Sequence, residues 1–165
     1  MKRAYKNLID HLEVSGEEFV AYLALFSEEE IHTAPAPNEW NIHQIVAHLR
    51  DAEHHAFLVR AQRIVKEAYP SVASFDQDVW HREHYSAAEP FKKMLREFRA
   101  THRKLVAVLR KTTDHDWANW ATHPAFGKIS LEWIALHSYQ HTLDHHAQIV
   151  QMREKRVLVK LQEAK

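Results

Sequence analysis

The chain has 165 residues, of which 45% are hydrophobic and 27% are charged, so it suits one folded domain and excludes a disordered or membrane-embedded class. Its 22 basic residues balance 22 acidic ones, so no net field favours nucleic acid or an anionic membrane as a partner. Cysteine is absent, which excludes disulfides, thiolate metal ligands and a cysteine nucleophile.

Two residue counts and one missing pattern narrow the class further. Only 2 glycines argue for helices and against a glycine-rich phosphate loop. The 15 histidines are scattered along the chain, and histidine is the commonest metal ligand. The N-terminal segment lacks the apolar core of a signal peptide, and no stretch approaches about 18 apolar residues. We therefore expect a cytoplasmic protein that neither spans a membrane nor binds nucleic acid.

Apolar residues at helical spacing predict four long helices. In chain order they run from Arg3 to Phe26, from an N-cap at Asn41 to Ala68, from Pro90 to Lys111, and from about Ile129 to Arg153. The prolines at 35 and 37 end any helix between the first two. Four amphipathic helices of this length predict an all-α four-helix bundle that forms one domain over residues 1–165.

The segment from Tyr69 to Glu89 predicts the order of the helices in space. A loop of about twenty residues is unusual within a compact domain and needs a reason. A crossover along the length of the bundle supplies that reason, so we expect helices two and three to run parallel. The aromatic residues of this linker, Phe75, Trp80 and Tyr85, either cap a pocket or pack over the end of the bundle.

The fourth helix carries the densest histidine pattern, in the segment HSYQHTLDHHAQI. On a helical wheel His145 falls near the centre of the inward stripe and His141 falls within it, whereas His137 and His146 lie on opposite margins. The i, i+4 spacing of His141 and His145 brings two imidazoles together on one face, as two metal ligands on a helix require. Two interpretations stay open: a pair of metal ligands, or hydrogen-bonded core histidines.

Helices two and three each offer an inward histidine. On helix two, periodicity does not separate His48 from His55. On helix three, His102 projects among apolar residues, and we favour a core histidine bonded to a neighbour. The histidines without a partner at useful spacing are expected on the surface or in loops: His11, His32, His43, His54, His81, His84, His115 and His123.

Two segments resemble a known family. The segment WNIHQIVAHLRDAE, with Trp40 at its start and His48 at its centre, resembles the second helix of the DinB/YfiT-like superfamily. The segment SLEWIALHSYQHTLDHHAQI resembles the fourth-helix motif of that family, His-x-x-x-His-x-x-Gln-Ile, and its Gln148-Ile149 sets the register. The resemblance covers about residues 5 to 155. It implies a four-helix bundle with a long crossover and a three-histidine divalent-metal site of His48, His141 and His145, in which His48 rests mainly on the resemblance.

A site of three imidazoles leaves open positions on a divalent ion, as catalytic sites do. Such ligands suit zinc, nickel, copper or iron, among which we favour zinc or nickel. The family implies either a hydrolase that activates water or an S-transferase that activates a low-molecular-weight thiol such as bacillithiol or mycothiol. Any thiol must come from outside, because the chain has no cysteine. The substrate is then a small molecule.

Carboxylates near these histidines are candidates for orienting them or for general-base chemistry: Glu53 and Asp144, with Asp51 as a weaker one. Glu53 projects inward, and a salt bridge to Arg60 or His102 is an equally good interpretation. The alternative for the whole protein is a non-catalytic bundle, either with a structural metal or with a partner-binding surface such as that of a homodimer.

Overall fold

The computed structural model describes residues 1–163, which form the expected four-helix bundle with a small hairpin at one end. In chain order the elements are α1 (Arg3–Leu23), α2 (Glu28–His32), α3 (Ile42–Ala52), a π-helical segment (Glu53–Leu58), α4 (Val59–Lys66), α5 (Gln77–His84), α6 (Phe91–Arg110), α7 (Asp114–Ala118), β1 (Trp120–His123), β2 (Gly127–Ser130) and α8 (Leu131–Glu163). The second long helix comprises α3, the π-helical segment and α4 without a break. Within residues 1–163, no helix is long and apolar enough to cross a membrane.

The start of the second long helix is set by a capping box, as the sequence predicts. The Asn41 side chain accepts a hydrogen bond from the backbone N–H of Gln44 at 2.9 Å, and the Gln44 side chain accepts one from the Asn41 N–H at 3.0 Å. Both bonds satisfy backbone donors that a helix N-terminus otherwise leaves free. The position of His48 along the bundle is therefore fixed two turns from a defined helix start.

Contacts between helices confirm that the second and third long helices run parallel. Arg50 contacts Glu97 at 3.2 Å, and Glu53 contacts His102 at 2.8 Å. The later residue on the second helix thus contacts the later residue on the third, as in a parallel pair. Helix α8 runs antiparallel to the second helix, since Glu53 contacts Ser138 whereas His48, which precedes it, contacts His141. The order is thus up, down, down, up.

The crossover between the two parallel helices is partly ordered by secondary structure, which the sequence analysis did not predict. It contains α5, whose first turn is capped by Asp76, and a short parallel bridge in which Val72 N–H donates to the Thr122 carbonyl at 2.9 Å. This bridge ties the linker to the hairpin. The chain between Lys66 and Phe91 therefore passes along the surface of the bundle and is attached to the hairpin at Val72.

The hairpin corrects the predicted start of the fourth helix. Residues expected as an irregular linker and a first helical turn instead pair as β1 and β2, with Trp120 opposite Ser130 and His123 opposite Gly127. Gly127 has φ +69°, a conformation that glycine adopts without the penalty of a Cβ. Helix α8 begins only at Leu131 and continues beyond the predicted end at Arg153 to Glu163. Strands of four residues are too short to show a period of two, so the sequence offered little to find them.

The interior holds two apolar cores with polar side chains between them. One core contains Leu12, Leu105 and Ile134, and the other contains Phe19, Phe98 and Ile149, all of them fully buried. In sequence, the buried polar residues Glu53, His102, Ser138 and Thr142 fall between the positions that enter the two cores. Apolar packing thus fills both ends of the bundle, and a layer of buried polar side chains lies between the two cores.

Candidate metal centre

Three histidines from two antiparallel helices converge beside this middle layer. The Nε2 atoms of His48 and His141 lie 2.9 Å apart, so one ring donates a hydrogen bond and the other accepts it. The ring centroid of His145 lies 5.1 Å from that of His48 and 4.9 Å from that of His141. One ring nitrogen from each histidine falls within 4.8 Å of the others. We call these residues the three-histidine cluster; they are the three that the family resemblance selects.

Burial keeps the three-histidine cluster neutral. Burial, followed by the charges of neighbouring histidines, lowers the pKa of His48 and of His141 to about 3. Burial also lowers the pKa of His145, although a hydrogen bond from this ring to Gln148 opposes the shift. Imidazole must be neutral to ligate a metal, and each of the three rings has one lone pair at neutral pH. The hydrogen bond between His48 and His141 occupies one of these lone pairs, which a metal ion would release.

Gln148 fixes the orientation of one of these rings. Its Oε1 lies 2.8 Å from His145 Nδ1, and an amide oxygen only accepts, so Nδ1 carries the proton and Nε2 has the lone pair. A partner on the far nitrogen is the usual way in which a protein orients a ligating histidine. Asp144, the other candidate on α8, is exposed and accepts a hydrogen bond from Gln140 at 2.7 Å.

A cavity of about 650 Å³ opens onto the three-histidine cluster, a volume in the range of small-molecule sites. Its apolar wall is aromatic, with Trp40, Phe57, Phe75 and Phe126. Its polar wall includes Asp144, Arg60 and His123. Phe75 thus lines the pocket, as one interpretation of the aromatic linker expected, whereas Trp80 and Tyr85 pack on histidines away from it.

Glu53 belongs to a second, separate arrangement with His102, which we call the buried carboxylate pair. Ser138 is bonded to the carboxylate of this pair. His102 Nδ1 donates to Glu53 Oε1 at 2.8 Å, and its Nε2 donates to the Leu12 carbonyl at 2.8 Å. Ser138 Oγ donates to Glu53 Oε2 at 3.0 Å. The Glu53 side chain is 1% exposed. Among the described residues, no hydrogen bond joins Glu53 to the three-histidine cluster, and the prediction of a core histidine at 102 is confirmed.

The charge state of His102 follows from its partners. Burial lowers its pKa, but the charge of Glu53, the hydrogen bond to it and the bond to the Leu12 carbonyl outweigh burial, so the pKa is raised. Since both ring nitrogens face acceptors, the ring is held as an imidazolium. The approach is close: a Cβ built on Gly16 would lie 2.4 Å from His102 Cδ2, so only glycine fits there.

Two of the histidines expected on the surface are buried instead, which is a correction. His43 is 0% exposed: its Nε2 donates to the Glu89 carbonyl at 2.8 Å, and its Nδ1 accepts from the Tyr85 hydroxyl at 3.0 Å. His123 is 2% exposed, because strand β1 turns it into the cavity wall. Both depend on segments whose packing partners are distant in sequence, so no local pattern could have identified them.

The histidines whose roles the sequence left open separate clearly. His55 lies outside the three-histidine cluster and packs on Trp80 with ring centroids 4.2 Å apart. His137 is exposed, stacks on Trp133 at 4.6 Å and reaches the cavity wall. His146 packs against Tyr22 of α1 at 4.9 Å. Of the two candidates on helix two, His48 is thus the one that meets α8.

Comparisons with known proteins agree with this architecture. Among curated proteins, a "putative metal-dependent hydrolase" of Oceanobacillus iheyensis is 26% identical over 105 residues, which are 64% of this chain and 60% of that protein. Another protein with this description, from Geobacillus kaustophilus, is 26% identical over 131 residues, 79% of this chain and 73% of the relative. The first of these alignments thus spans less than two thirds of the relative's length.

Among solved structures, YfiT from Bacillus subtilis, described as "a probable metal-dependent hydrolase with an unusual four-helix bundle topology", superposes with a TM-score of 0.82. The match has 21% sequence identity and covers 94% of this chain and 90% of that one, so it shows a common fold. The family model of the DinB superfamily matches residues 11–149, which include part or all of every long helix and all three clustered histidines. The chain therefore belongs to the DinB superfamily.

Proposed function

We propose that the protein is a metal-dependent hydrolase, in which His48, His141 and His145 hold one divalent ion that activates water toward a small-molecule substrate. The observation that carries the proposal is the convergence of three neutral imidazoles on the wall of a cavity. Within residues 1–163, no carboxylate joins this ligand group. Three protein ligands with a vacant side are typical of catalytic sites, whereas structural zinc sites close with four.

The donor set fits a borderline transition metal. Its nitrogen ligands suit zinc or nickel better than magnesium or calcium, which prefer oxygen. The rings need no proton loss to bind, because burial already holds His48 and His141 neutral. His48 Nε2 and His141 Nε2 already lie close together, and a metal ion bound to both would replace the hydrogen bond between them.

When bound, the ion would supply Lewis acidity, which activates a nucleophile and polarises the bond that it attacks. The residues of the chain have the remaining tasks. Gln148 holds the His145 ring with Nε2 free. Of the two carboxylates on the cavity wall, Asp76 caps α5, so Asp144 is the candidate to accept the proton of the nucleophile. The aromatic wall excludes water from the bound substrate.

Metal content gives the first test. Untagged protein should contain close to one divalent ion per chain by elemental analysis, and the His141→Ala/His145→Ala variant should lose it. His146→Ala is the matched control, because His146 neighbours His145 on α8 but packs against Tyr22 outside the three-histidine cluster. Circular dichroism must show that both variants are folded. Full metal content in the folded double variant would refute the proposed ligands.

Turnover gives the second test and separates the candidate reactions. Metal-loaded protein should hydrolyse members of an ester, amide and phosphoester panel in buffer alone, and the double variant should not. If turnover needs an added low-molecular-weight thiol with an electrophile, the protein is an S-transferase instead. If neither occurs, and metal removal lowers only the melting temperature, the metal is structural.

The homodimer and the cytoplasmic location stay predictions.

A further inference from the structure

Arg60 is a buried arginine without a counter-charge. It lies on α4, is 7% exposed, and donates from Nη2 to the Ala73 carbonyl at 3.1 Å. Its Nε, also buried, has no hydrogen-bond partner. Three residues later, Arg63 pairs with Glu67 at 2.7 Å. Across residues 1–163, no carboxylate forms a salt bridge with Arg60, and burial lowers its pKa without an opposing charge. An uncompensated buried charge is costly, so such groups are rarely found without a purpose.

His123 presents a second donor on the same wall. Its Nδ1 accepts from the backbone N–H groups of Ala125 at 3.1 Å and Phe126 at 3.3 Å, so Nδ1 lacks a proton and Nε2 carries it. That Nε2 is buried and has no partner. Arg60 lies on α4 and His123 on β1, and these two elements pack against each other. Two buried donors thus lack an acceptor.

Both donors line the cavity that the three-histidine cluster also lines. Neither carboxylate of this wall pairs with Arg60: Asp76 accepts from the Val79 N–H at 3.0 Å, and Asp144 accepts from Gln140 at 2.7 Å. The π-helical segment explains why Arg60 reaches this wall. In an unbroken α-helix, the twelve residues from His48 to Arg60 would place the Arg60 side chain about 120° around the helix axis from that of His48. The extra residue of a π turn cancels about 100° of this rotation.

We propose that the cavity takes a substrate with an oxyanion, a carboxylate or a phosphate group, which is bound by the Arg60 guanidinium and the His123 Nε2–H while an apolar body lies on the aromatic wall. Guanidinium is the cation best matched to planar or tetrahedral oxyanions. Arg60 is thus a specificity-determining residue. The position of the reacting group at the three-histidine cluster rests on the proposed function, but the anion subsite does not.

The test is calorimetric titration of chelator-treated, metal-free protein at pH 7.5 with benzoate, phenyl phosphate and benzamide. The three probes share a ring and differ in charge and in the oxyanion. Benzoate or phenyl phosphate should bind at least tenfold more tightly than neutral benzamide, and the better of the two identifies the oxyanion. Arg60→Gln, which retains a donor for Ala73, should reduce this preference to less than about twofold. Arg63→Gln, a surface control, should preserve it.

Equal binding of benzoate, phenyl phosphate and benzamide to the wild type, or no binding, overturns the inference without any variant. Retention of the anion preference by folded Arg60→Gln also overturns it. If Arg60→Gln does not fold, Arg60→Lys keeps the charge but loses the fork, and the preference should then fall without vanishing; an unchanged preference again overturns the inference. The metal content of the untreated protein is measured in parallel. Anion binding by a protein that holds no metal would refute only the proposed hydrolase. Metal binding by a protein without anion preference would refute only the anion subsite.

Discussion

The buried carboxylate pair and the three-histidine cluster are two histidine sites in one bundle with opposite electrostatic character. At the first, His102 has an acceptor for each ring nitrogen and a carboxylate within 2.8 Å, and its pKa is raised. At the second, His48 and His141 hydrogen-bond only each other, and burial lowers the pKa of each to about 3. His48 and His102 are similarly buried, at 4% and 2% exposure. Burial thus lowers the pKa of a histidine at both sites, and a carboxylate partner reverses the shift at only one of them.

This difference separates structural from chemical use of the same side chain. The buried carboxylate pair has its donors and acceptors matched, so it has little capacity to bind anything else. The three-histidine cluster has an unpartnered lone pair at His145 Nε2 and lies on a cavity wall. A metal ion can bind to such an unpartnered nitrogen, and the cavity beside it has room for a substrate. Substitutions at the two sites test this contrast.

Glu53→Ala should destabilise the protein most. It leaves the His102 imidazolium buried without its counter-charge, for which a loss of about 3–5 kcal/mol in the free energy of unfolding is typical. Urea denaturation at pH 7 measures it. Glu67→Ala is the matched control: Glu67 pairs with Arg63 at the surface, where the loss should be far smaller because solvent screens the pair. Equal losses for the two variants would show that the buried pair has no special structural role.

Gly16→Ala should test how tightly the same site is packed. The added methyl would lie 2.4 Å from His102 Cδ2, and overpacking of this kind costs about 1–3 kcal/mol. In an open helix position the same change stabilises by about 0.5–1 kcal/mol, so the two expectations differ in sign. Thermal unfolding distinguishes them. A raised melting temperature would mean that His102 moves easily and that the pair is not rigid.

Gln148→Ala should weaken metal binding about tenfold or more without removing it. The variant frees the His145 ring to rotate and to change tautomer, and loss of such a supporting partner commonly lowers metal affinity by about 10- to 100-fold. Competition with a chromogenic chelator measures the affinity. Gln151→Ala, an exposed change three residues further along α8, should leave it unchanged. Equal affinities for both variants would remove Gln148 from the site.

Stability of the metal-free protein should depend on pH in opposite ways at the two sites. His48 and His141 have a folded pKa of about 3, below the usual 6.5, so their contribution is lost as pH falls below 6.5, by about 1 kcal/mol each at pH 5.5. His102 has a raised pKa, so its contribution is complete below 6.5 and is lost as pH rises through the raised value. Urea unfolding at pH 7 and 5.5 measures the acid loss.

The control for this prediction is the variant His48→Phe/His141→Phe, which removes the two neutral rings. Its loss of stability between pH 7 and 5.5 should be smaller than that of the wild type by about 2 kcal/mol. An unchanged loss would show that the acid sensitivity comes from other buried histidines, such as His43 or His123. It would also remove the electrostatic contrast between the two sites.

The four long helices and the pairing of His141 with His145 could be predicted from the sequence alone. Period, capping and proline placement predicted four long helices, since these are local properties of neighbouring residues. His141 and His145 could be paired for the same reason, because a single helix fixes their separation. The length of the crossover was enough to predict parallel helices two and three. His48 needed the family resemblance, because periodicity left it equal to His55.

Only the tertiary structure decided which side chains from different elements meet. No sequence pattern predicted the π-helical segment, and an unbroken α-helix would direct Arg60 away from His48. His123 was expected on the surface because its burial depends on a hairpin whose four-residue strands carry no clear period. Glu53 was left between Arg60 and His102, and packing against α6 assigned it to His102. Local patterns fix the direction of a side chain on its own helix, whereas its partner depends on how the helices pack.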